Sequence, residues 1–369
     1  MIIAFIALGF YVLMLLSISV AWRHIPLQKY GSEMSLKVSV VIPFRNESGN
    51  LEQLVKDLRQ QSYDHFEVIF VNDHSTDQGG KQLFSLLESS SLKARILHLE
   101  EKQGKKMALS HGIEMASGEI IVTTDADCRF GRYWLKTLLM PFSNEHVQMV
   151  AGPVYLTGGT FWQRMQSIEF SALIGVGGAL INLKRPTMAN GANLAYRKAA
   201  FLAVDGFENI SNTPSGDDEL LMDKFHRIKN YRVSFAKDKE AWGATDALSN
   251  VKDFKHQRLR WAGKWRVKSR FNTIFAALIV FVIQLAQVYL YYFFLSHWMD
   301  WEGLLAVILL LLKGGMEYEF IRSVRKSHGD KTSSLVFTAC YLIYPFYVLY
   351  IGIASNIKQF EWKGRIYDR

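Results

Sequence analysis

The sequence predicts an α/β fold with a doubly wound sheet, carrying membrane helices near both ends. Two observations support this prediction. Between residues 37 and 124, short β-branched apolar runs alternate with segments in which apolar residues recur at helical spacing, the pattern of successive βαβ units. In addition, long and nearly uncharged stretches lie near both termini, and their length is sufficient to cross a bilayer.

Four apolar runs are predicted as strands and three intervening segments as helices. The first run, Lys37 to Pro43, is β-branched and ends at a proline, which indicates a buried parallel strand. The strands are predicted at residues 37–43, 66–72, 94–99 and 119–124, and the helices at 50–60, 82–87 and 105–116. Ligands of such sheets bind beyond the carboxyl ends of the strands, so we expect the chemistry in the loops that follow them.

The N-terminal segment Met1 to Val20 is almost wholly apolar, and Trp22 and Arg23 follow it. Aromatic and basic residues are typical of the point where a helix leaves the bilayer on the cytosolic side. A cleaved signal peptide is the alternative, but the basic n-region of such peptides is missing. We therefore predict a transmembrane anchor over residues 1–22.

The later apolar segments differ in how well they fit a membrane span. Phe161 to Leu183 is amphipathic and then apolar, which favours an interfacial helix. Ile274 to Leu295 is long enough to cross, Leu304 to Leu312 is short, and Leu335 to Ala354 contains Pro345. Two to three C-terminal membrane helices are expected. The predicted division of the chain is an anchor at 1–22, a catalytic domain at 36–271 that includes the interfacial helix near 161–183, membrane helices at 272–356 and a basic tail at 357–369.

The net charge of +9 indicates a membrane partner and no nucleic acid, because many basic residues flank apolar segments. Arg23, Lys29, Lys264 and Arg270 place the region before Ile274 in the cytosol by the positive-inside rule, as in a multi-pass protein of the cell (inner) membrane. Three later crossings would put the basic tail outside. We therefore expect the Leu304 run or the Pro345 segment not to cross fully, which leaves the tail cytosolic.

Two cysteines, Cys128 and Cys340, lie far apart in the sequence. One belongs to the soluble part and the other to an apolar run. Neither a disulfide framework nor a metal cluster is indicated.

Two acidic motifs directly follow predicted strands. In Val71-Asn-Asp-His-Ser-Thr-Asp77, a carboxylate could accept hydrogen bonds from a nucleotide base or ribose, or the acids could simply cap the next helix. In Thr123-Thr-Asp-Ala-Asp-Cys128, two carboxylates can face one ligand, as hard cations such as Mg²⁺ or Mn²⁺ require. Turn chemistry is the alternative for this D-x-D pattern.

Two further motifs precede the C-terminal membrane segments. Ser215-Gly-Asp-Asp-Glu-Leu220 fits either a helix N-terminus or a general base beside a ligand site. In Gln257-Arg-Leu-Arg-Trp261, the first, fourth and fifth residues share one helical face and can present an amide, a guanidinium and an aromatic ring to one ligand. A solvated basic helix at the membrane surface is the alternative.

In this order, the four motifs resemble those of the family-2 inverting glycosyltransferases with the GT-A fold. The similarity covers roughly Val38 to Trp261 and is greatest to the membrane-bound branch that contains ceramide glucosyltransferases, hyaluronan synthases and cellulose synthases. Three supporting segments are similar to this family: Ile42-Pro-Phe-Arg-Asn-Glu47, Gly104-Lys-Lys-Met-Ala-Leu109 and Gly191-Ala-Asn-Leu-Ala-Tyr196. The resemblance implies a GT-A type doubly wound mixed sheet and a nucleotide-sugar donor, with UDP as its nucleotide.

The resemblance also assigns roles to individual residues. It implies that Asp218 is the catalytic base, although the Glu-Asp pair of the family is Asp217-Asp218 here, which keeps Asp217 open as a stand-in. The metal ligand would be Asp127, binding Mg²⁺ or Mn²⁺. The donor-binding residues would be Glu47, Asp73, Lys105, Asp125, Gln257, Arg260 and Trp261.

These motifs leave three alternatives open. A nucleotidyltransferase also uses metal-binding acids on a doubly wound sheet, but it gives no reason for the Gln257 to Trp261 motif beside a membrane span. A non-catalytic membrane binding module is disfavoured because every expected acid is present. A processive polysaccharide synthase needs a lumen of several helices, so we expect a lipid or lipid-linked acceptor instead.

Overall fold

The structure is a computed structural model that describes residues 2–27, 35–101, 103–210, 216–263, 271–355, 360–362 and 365–367. The chain forms two compact units. The sheet unit comprises Ile25–Gly158 and Gly177–Ala247, and the helical unit comprises Met1–His24, Gly159–Val176 and Leu248–Arg369. The basic residues of 264–270, Lys29 and most of the predicted basic tail lie outside the described residues.

Twelve strands and twelve helices make up the described parts of the chain. The strands are β1 Val38–Phe44, β2 Phe66–Asn72, β3 Ala94–His98, β4 Ile120–Thr123, β5 Arg129–Phe130, β6 Val147–Ala151, β7 Val154–Thr157, β8 Leu194–Arg197, β9 Arg232–Phe235, β10 Gly243–Asp246, β11 Phe360–Trp362 and β12 Arg365–Tyr367. The helices are α1 Ile2–Arg23, α2 Leu51–Arg59, α3 Gly79–Glu88, α4 Lys105–Met115, α5 Trp134–Leu139, α6 Phe161–Asn182, α7 Lys198–Ala203, α8 Glu219–Arg227, α9 Val251–Gly263, α10 Phe271–Ser296, α11 Trp301–Lys326 and α12 Ser334–Ala354.

The sheet unit is built on a seven-stranded mixed sheet with the order β3-β2-β1-β4-β8-β6-β9. The first four strands run parallel, and only β8 runs antiparallel to its neighbours. Every residue of β1 is buried, as expected for the central strand of a sheet covered on both faces. The predicted doubly wound mixed sheet is therefore confirmed. A second sheet of three strands has the order β5-β10-β7.

The elements that were predicted agree with the structure to within two residues at each end, except at α3, α10 and α11; α10 begins at Phe271 rather than at Ile274. Helix α3 begins at Gly79 rather than at Gln82, because the Asp77 carboxylate accepts a hydrogen bond of 3.0 Å from the Gly79 amide. Helix α11 extends well beyond the predicted run at Leu304 to Leu312. Its charged residue Lys313 is fully buried against Glu317 at 2.6 Å, and this pairing allows the apolar helix to continue.

Within the described residues, three helices of the helical unit are long and apolar enough to cross a membrane. They are Ile6–Arg23 in α1, Leu278–Ser296 in α10 and all of α12. This agrees with one N-terminal and two C-terminal membrane helices. Helix α11 does not meet this criterion, but it packs against both α1 and α10. The predicted domain division stays a prediction.

Pro345 lies inside α12 without breaking it. Proline has no N–H, so the carbonyl of Tyr341, four residues earlier, loses its helical partner. Two side chains of α10 replace this donor: Gln287 Nε2 and the Tyr291 hydroxyl each donate to the Tyr341 carbonyl at 3.2 Å. An unpaired backbone group in a bilayer is costly, so these contacts explain how the proline is accommodated.

The C-terminal half of α12 packs along α9. The Tyr347 and Phe254 rings lie 5.4 Å apart, and Ile351 and Ala354 pack on Leu259. After α12 the chain returns to α9, where β11 packs against that helix. Strand β11 and α9 therefore lie on the same side of any membrane that the helical unit spans.

We predict that an Arg365→Cys cysteine in β12, the strand that pairs with β11, and a Lys252→Cys cysteine react with a membrane-impermeant thiol reagent from the same side. Lys252 is exposed on α9. The measurement is labelling of intact cells and of inverted vesicles, in a chain whose own cysteines are replaced by serine. Labelling of the two positions from opposite sides would contradict the packing of β11 on α9.

Candidate active site

The loops after β1 and β2 are joined by hydrogen bonds. The Asn46 side-chain oxygen accepts from the Thr76 amide at 2.8 Å, and the Ser48 amide donates to Asp77 Oδ2 at 2.9 Å. Because Asp77 also accepts from the Gly79 amide, its carboxylate is used within the turn. Of the two interpretations of the Val71 to Asp77 motif, nucleotide binding and helix capping, the second therefore applies to Asp77.

Asp73 connects this edge of the sheet to the start of α4. Its side chain is buried, and both carboxylate oxygens accept from the Gly104 amide at 3.1 Å. Gly104 has a φ of 107°, which only glycine adopts without strain. The predicted donor residue Glu47 is partly exposed on the neighbouring loop, where its carboxylate accepts from the Asn50 side-chain nitrogen Nδ2 at 2.6 Å.

His74 is a non-glycine residue with a φ of 56°. Such backbone conformations are rare and often mark functional sites. Its Nδ1 lies 3.2 Å from Asp73 Oδ1, and its Nε2 lies 3.1 Å from the carbonyl oxygen of Glu100. His74 thus ties the end of β2 to the segment after β3. An open cavity of about 480 Å³ adjoins this segment, lined in part by Asn72, Asp77 and His98.

Asp125 and Asp127 lie directly after β4, as predicted. Asp125 is partly exposed and Asp127 is exposed, while Cys128 beside them is buried. Burial, followed by the charges of the two aspartates, raises the pKa of the Cys128 thiol. The cysteine is therefore an apolar filler beneath the loop rather than a metal ligand.

Lys105, the first residue of α4, joins acids from two different motifs. Its Nζ lies 2.7 Å from Asp125 Oδ1 and 3.0 Å from Asp217 Oδ2. Burial alone would lower the pKa of this amine, but the charges of Asp125 and Asp217 outweigh burial and raise it. The amine therefore stays protonated throughout the physiological pH range.

The adjacent acid, Asp218, makes different contacts. Its Oδ1 accepts from the Glu219 amide at 2.7 Å and caps α8, and its Oδ2 accepts from the Gly191 amide at 3.1 Å. The helix-cap interpretation therefore applies to Asp218, and its role as a general base stays a prediction. A Cβ at Gly191 would lie 2.6 Å from Asp217 Oδ2, so a glycine is needed where the chain passes both acids.

The structure places Tyr196 near Asp217. In the sequence this residue stands out only as the end of the Gly191 to Tyr196 segment, which resembles the family. Its side chain is buried, and its hydroxyl has no hydrogen-bond partner among the described residues. Burial and then the charge of Asp217 raise the pKa of the hydroxyl. No sequence pattern separates this tyrosine from an ordinary core residue.

Gln257, Arg260 and Trp261 lie on α9, in the helical unit. All three are partly exposed, whereas Arg258 and Leu259 between them are buried. The helical face predicted from their spacing therefore exists. The acids belong to the sheet unit, so a ligand shared by both sets of residues stays a prediction.

The residues after β4 fit a divalent cation. Asp125 and Asp127 offer carboxylate oxygens on a solvent-accessible loop, the donor type that Mg²⁺ and Mn²⁺ prefer. The neighbouring thiol is buried and protonated, so it does not alter this preference. A site with only two protein carboxylates also suits a metal that is completed by substrate phosphates.

Residues 39–204 match the family model described as glycosyl transferase family 2. Glycosyltransferase AglE of Haloferax volcanii is 29% identical over 210 residues, which cover 54% of this chain and 64% of that protein. Poly-beta-1,6-N-acetyl-D-glucosamine synthase of Staphylococcus aureus is 24% identical over 234 residues, which cover 61% of this chain and 53% of the synthase. The chain thus matches less than two thirds of the length of these relatives.

One solved structure is similar over nearly the whole chain. It is the mannosyltransferase PcManGT of Pyrobaculum calidifontis in complex with GDP-Man and Mn²⁺, with a TM-score of 0.59, 17% identity and coverage of 96% of this chain and 95% of that chain. At this identity the similarity shows the fold. The expected GT-A architecture is therefore confirmed.

Proposed function

We propose that this chain is a glycosyltransferase, which the match of residues 39–204 to the glycosyl transferase family 2 model supports, and that it transfers a sugar from a nucleotide-sugar donor, with inversion, to a lipid or lipid-linked acceptor. The observation that carries the proposal is the Lys105 amine, within 3.0 Å of both Asp125 and Asp217. It connects the acids after β4, suited to a diphosphate and its metal, with the pair that would supply the base. A UDP-sugar is the proposed donor.

In the proposed reaction, the acceptor hydroxyl loses its proton to Asp218 and attacks the anomeric carbon. The bond from that carbon to the diphosphate breaks on the opposite side, so the configuration inverts. A cation held by Asp127 and Asp125 would supply charge neutralisation for the leaving diphosphate. Glu47, Asp73 and Lys105 would bind the nucleoside, and Arg260 is proposed to add positive charge for the diphosphate.

We propose that transfer takes place at the cytosolic face of the cell (inner) membrane. Three apolar helices support membrane attachment, and an acceptor dissolved in the bilayer can then enter from the membrane plane. A processive polysaccharide synthase is the second candidate function, because one of the relatives is a synthase of poly-N-acetylglucosamine. The product decides between the two.

The purified protein in lipid, given radiolabelled nucleotide sugars in a screen of UDP- and GDP-linked donors, should release nucleoside diphosphate and label a product that partitions into organic solvent. The negative control is the same preparation without added acceptor lipid. A long water-soluble polymer that resists lipid extraction would favour the synthase, and release of pyrophosphate would exclude glycosyl transfer.

Activity should require a divalent cation and should be lost in Asp127→Ala, because a diphosphate without charge neutralisation is a poor leaving group. The measurement is nucleoside diphosphate release with Mg²⁺, Mn²⁺ or excess chelator. Glu145→Ala, an exposed acid just before β6, is the control and should behave as the unaltered protein. Full turnover in chelator would contradict the metal requirement.

Asp218→Asn should bind the nucleotide but lose transfer by about 10²-fold or more, because the amide keeps the size of the side chain and cannot accept the proton. Asp217→Asn is the matched comparison, since Asp217 pairs with Lys105. If Asp217→Asn loses turnover with intact binding while Asp218→Asn does not, the base is the first acid of the pair.

A further inference from the structure

A single acid of α6, Glu169, forms a buried ion pair with Arg258 of α9. The side chains are only 10% and 4% exposed, and Arg258 Nη2 lies 2.7 Å from Glu169 Oε2. Removing two charges from water is costly unless they are paired and hydrogen-bonded. The pair therefore fixes α9 against α6 at one point.

Arg258 also lies between two aromatic rings of its own helix. The guanidinium carbon is 4.6 Å from the centre of the Phe254 ring and 4.3 Å from that of Trp261. Each ring contacts α6 in turn: Phe254 lies 4.8 Å from Trp162, and Trp261 lies 6.0 Å from Phe170. A planar cation stacked in this way restricts the orientation of both rings.

A second guanidinium nitrogen contacts the first residue of the motif. Arg258 Nη1 donates to Gln257 Oε1 at 3.2 Å. An amide whose oxygen accepts from the protein presents its Nε2 donor to a ligand. This orientation is the one that a diphosphate oxygen or an acceptor hydroxyl requires.

We propose that Arg258, held by Glu169, is a positioning residue that orients Gln257 and Trp261 for the donor diphosphate and the acceptor. This inference rests on the proposed function, which assigns those two residues to the ligand. Arg258 does not touch the substrate, because its charge is buried and paired within the helical unit. It acts through two of the side chains that it contacts, Gln257 and Trp261.

The test compares Arg258→Met, Arg258→Lys and Glu169→Gln in the full-length protein in lipid. Arg258→Met and Glu169→Gln should lower kcat about 10- to 100-fold, with a smaller change in nucleoside diphosphate affinity. Arg258→Lys should be intermediate, because an ammonium can pair with Glu169 but cannot also stack and reach Gln257. The single variant Gln257→Ala should lower kcat. In a chain that already carries Arg258→Met, the same substitution should cause no further loss.

Arg325→Met is the matched control. Arg325 is also a buried arginine bound to α6, since its Nη1 donates to Ser167 Oγ at 2.8 Å, but it contacts no part of the Gln257 to Trp261 motif in the described structure. Its loss should lower the thermal midpoint while leaving kcat unchanged. If Gln257→Ala keeps its full effect in Arg258→Met, the proposal is overturned and Arg258 only stabilises the fold.

Amide hydrogen exchange over residues 254–261 separates failure of this proposal from failure of the proposed function. Arg258→Met should accelerate exchange there, and Arg325→Met should not. Accelerated exchange in a protein that transfers no sugar would reject the proposed function while retaining the contact. Unchanged exchange in Arg258→Met would reject the positioning role itself.

Discussion

The site depends on one cation that makes a cluster of acids stable. Asp125 and the Asp217–Asp218 pair approach each other from two separate loops, and like charges at such distances repel each other. The amine of Lys105 contacts two of them directly, and its charge interacts with the third. Without this amine, repulsion between Asp125 and Asp217 would oppose the hydrogen bond by which the Gly191 amide holds Asp218 at this edge of the sheet.

The sequence predicted strands β1 to β4 of the seven-stranded sheet and the loops after them that carry acids, because both follow from local patterns. It did not predict β6, β8 and β9. Apolar runs such as the one that became β1 are buried throughout, and a parallel sheet brings their carboxyl ends to one edge. What it could not predict is which acids share a partner. The separation of Lys105 from Asp217 by more than a hundred positions contains no periodic signal, so their contact was visible only in the structure.

The same limit applies to α9 and α6. Spacing identified Gln257, Arg260 and Trp261 as one helical face, but it left Arg258 as an unremarkable basic residue. Glu169 offered a signal that could have been used: it is a lone acid in a largely apolar segment, where a charge needs a partner. Choosing Arg258 from the many basic residues near the membrane helices still required the packing of α6 on α9.

Pro345 has a consequence for how the protein enters the membrane. The Tyr341 carbonyl, which this proline leaves without a backbone donor, accepts hydrogen bonds from Gln287 and Tyr291. Both residues lie earlier in the chain. During synthesis, α10 therefore reaches the bilayer before α12, and the donors are in place when the helix that needs them arrives. With the order of these two helices reversed, as in a circular permutant cut between them, α12 would enter the bilayer with an unsatisfied carbonyl.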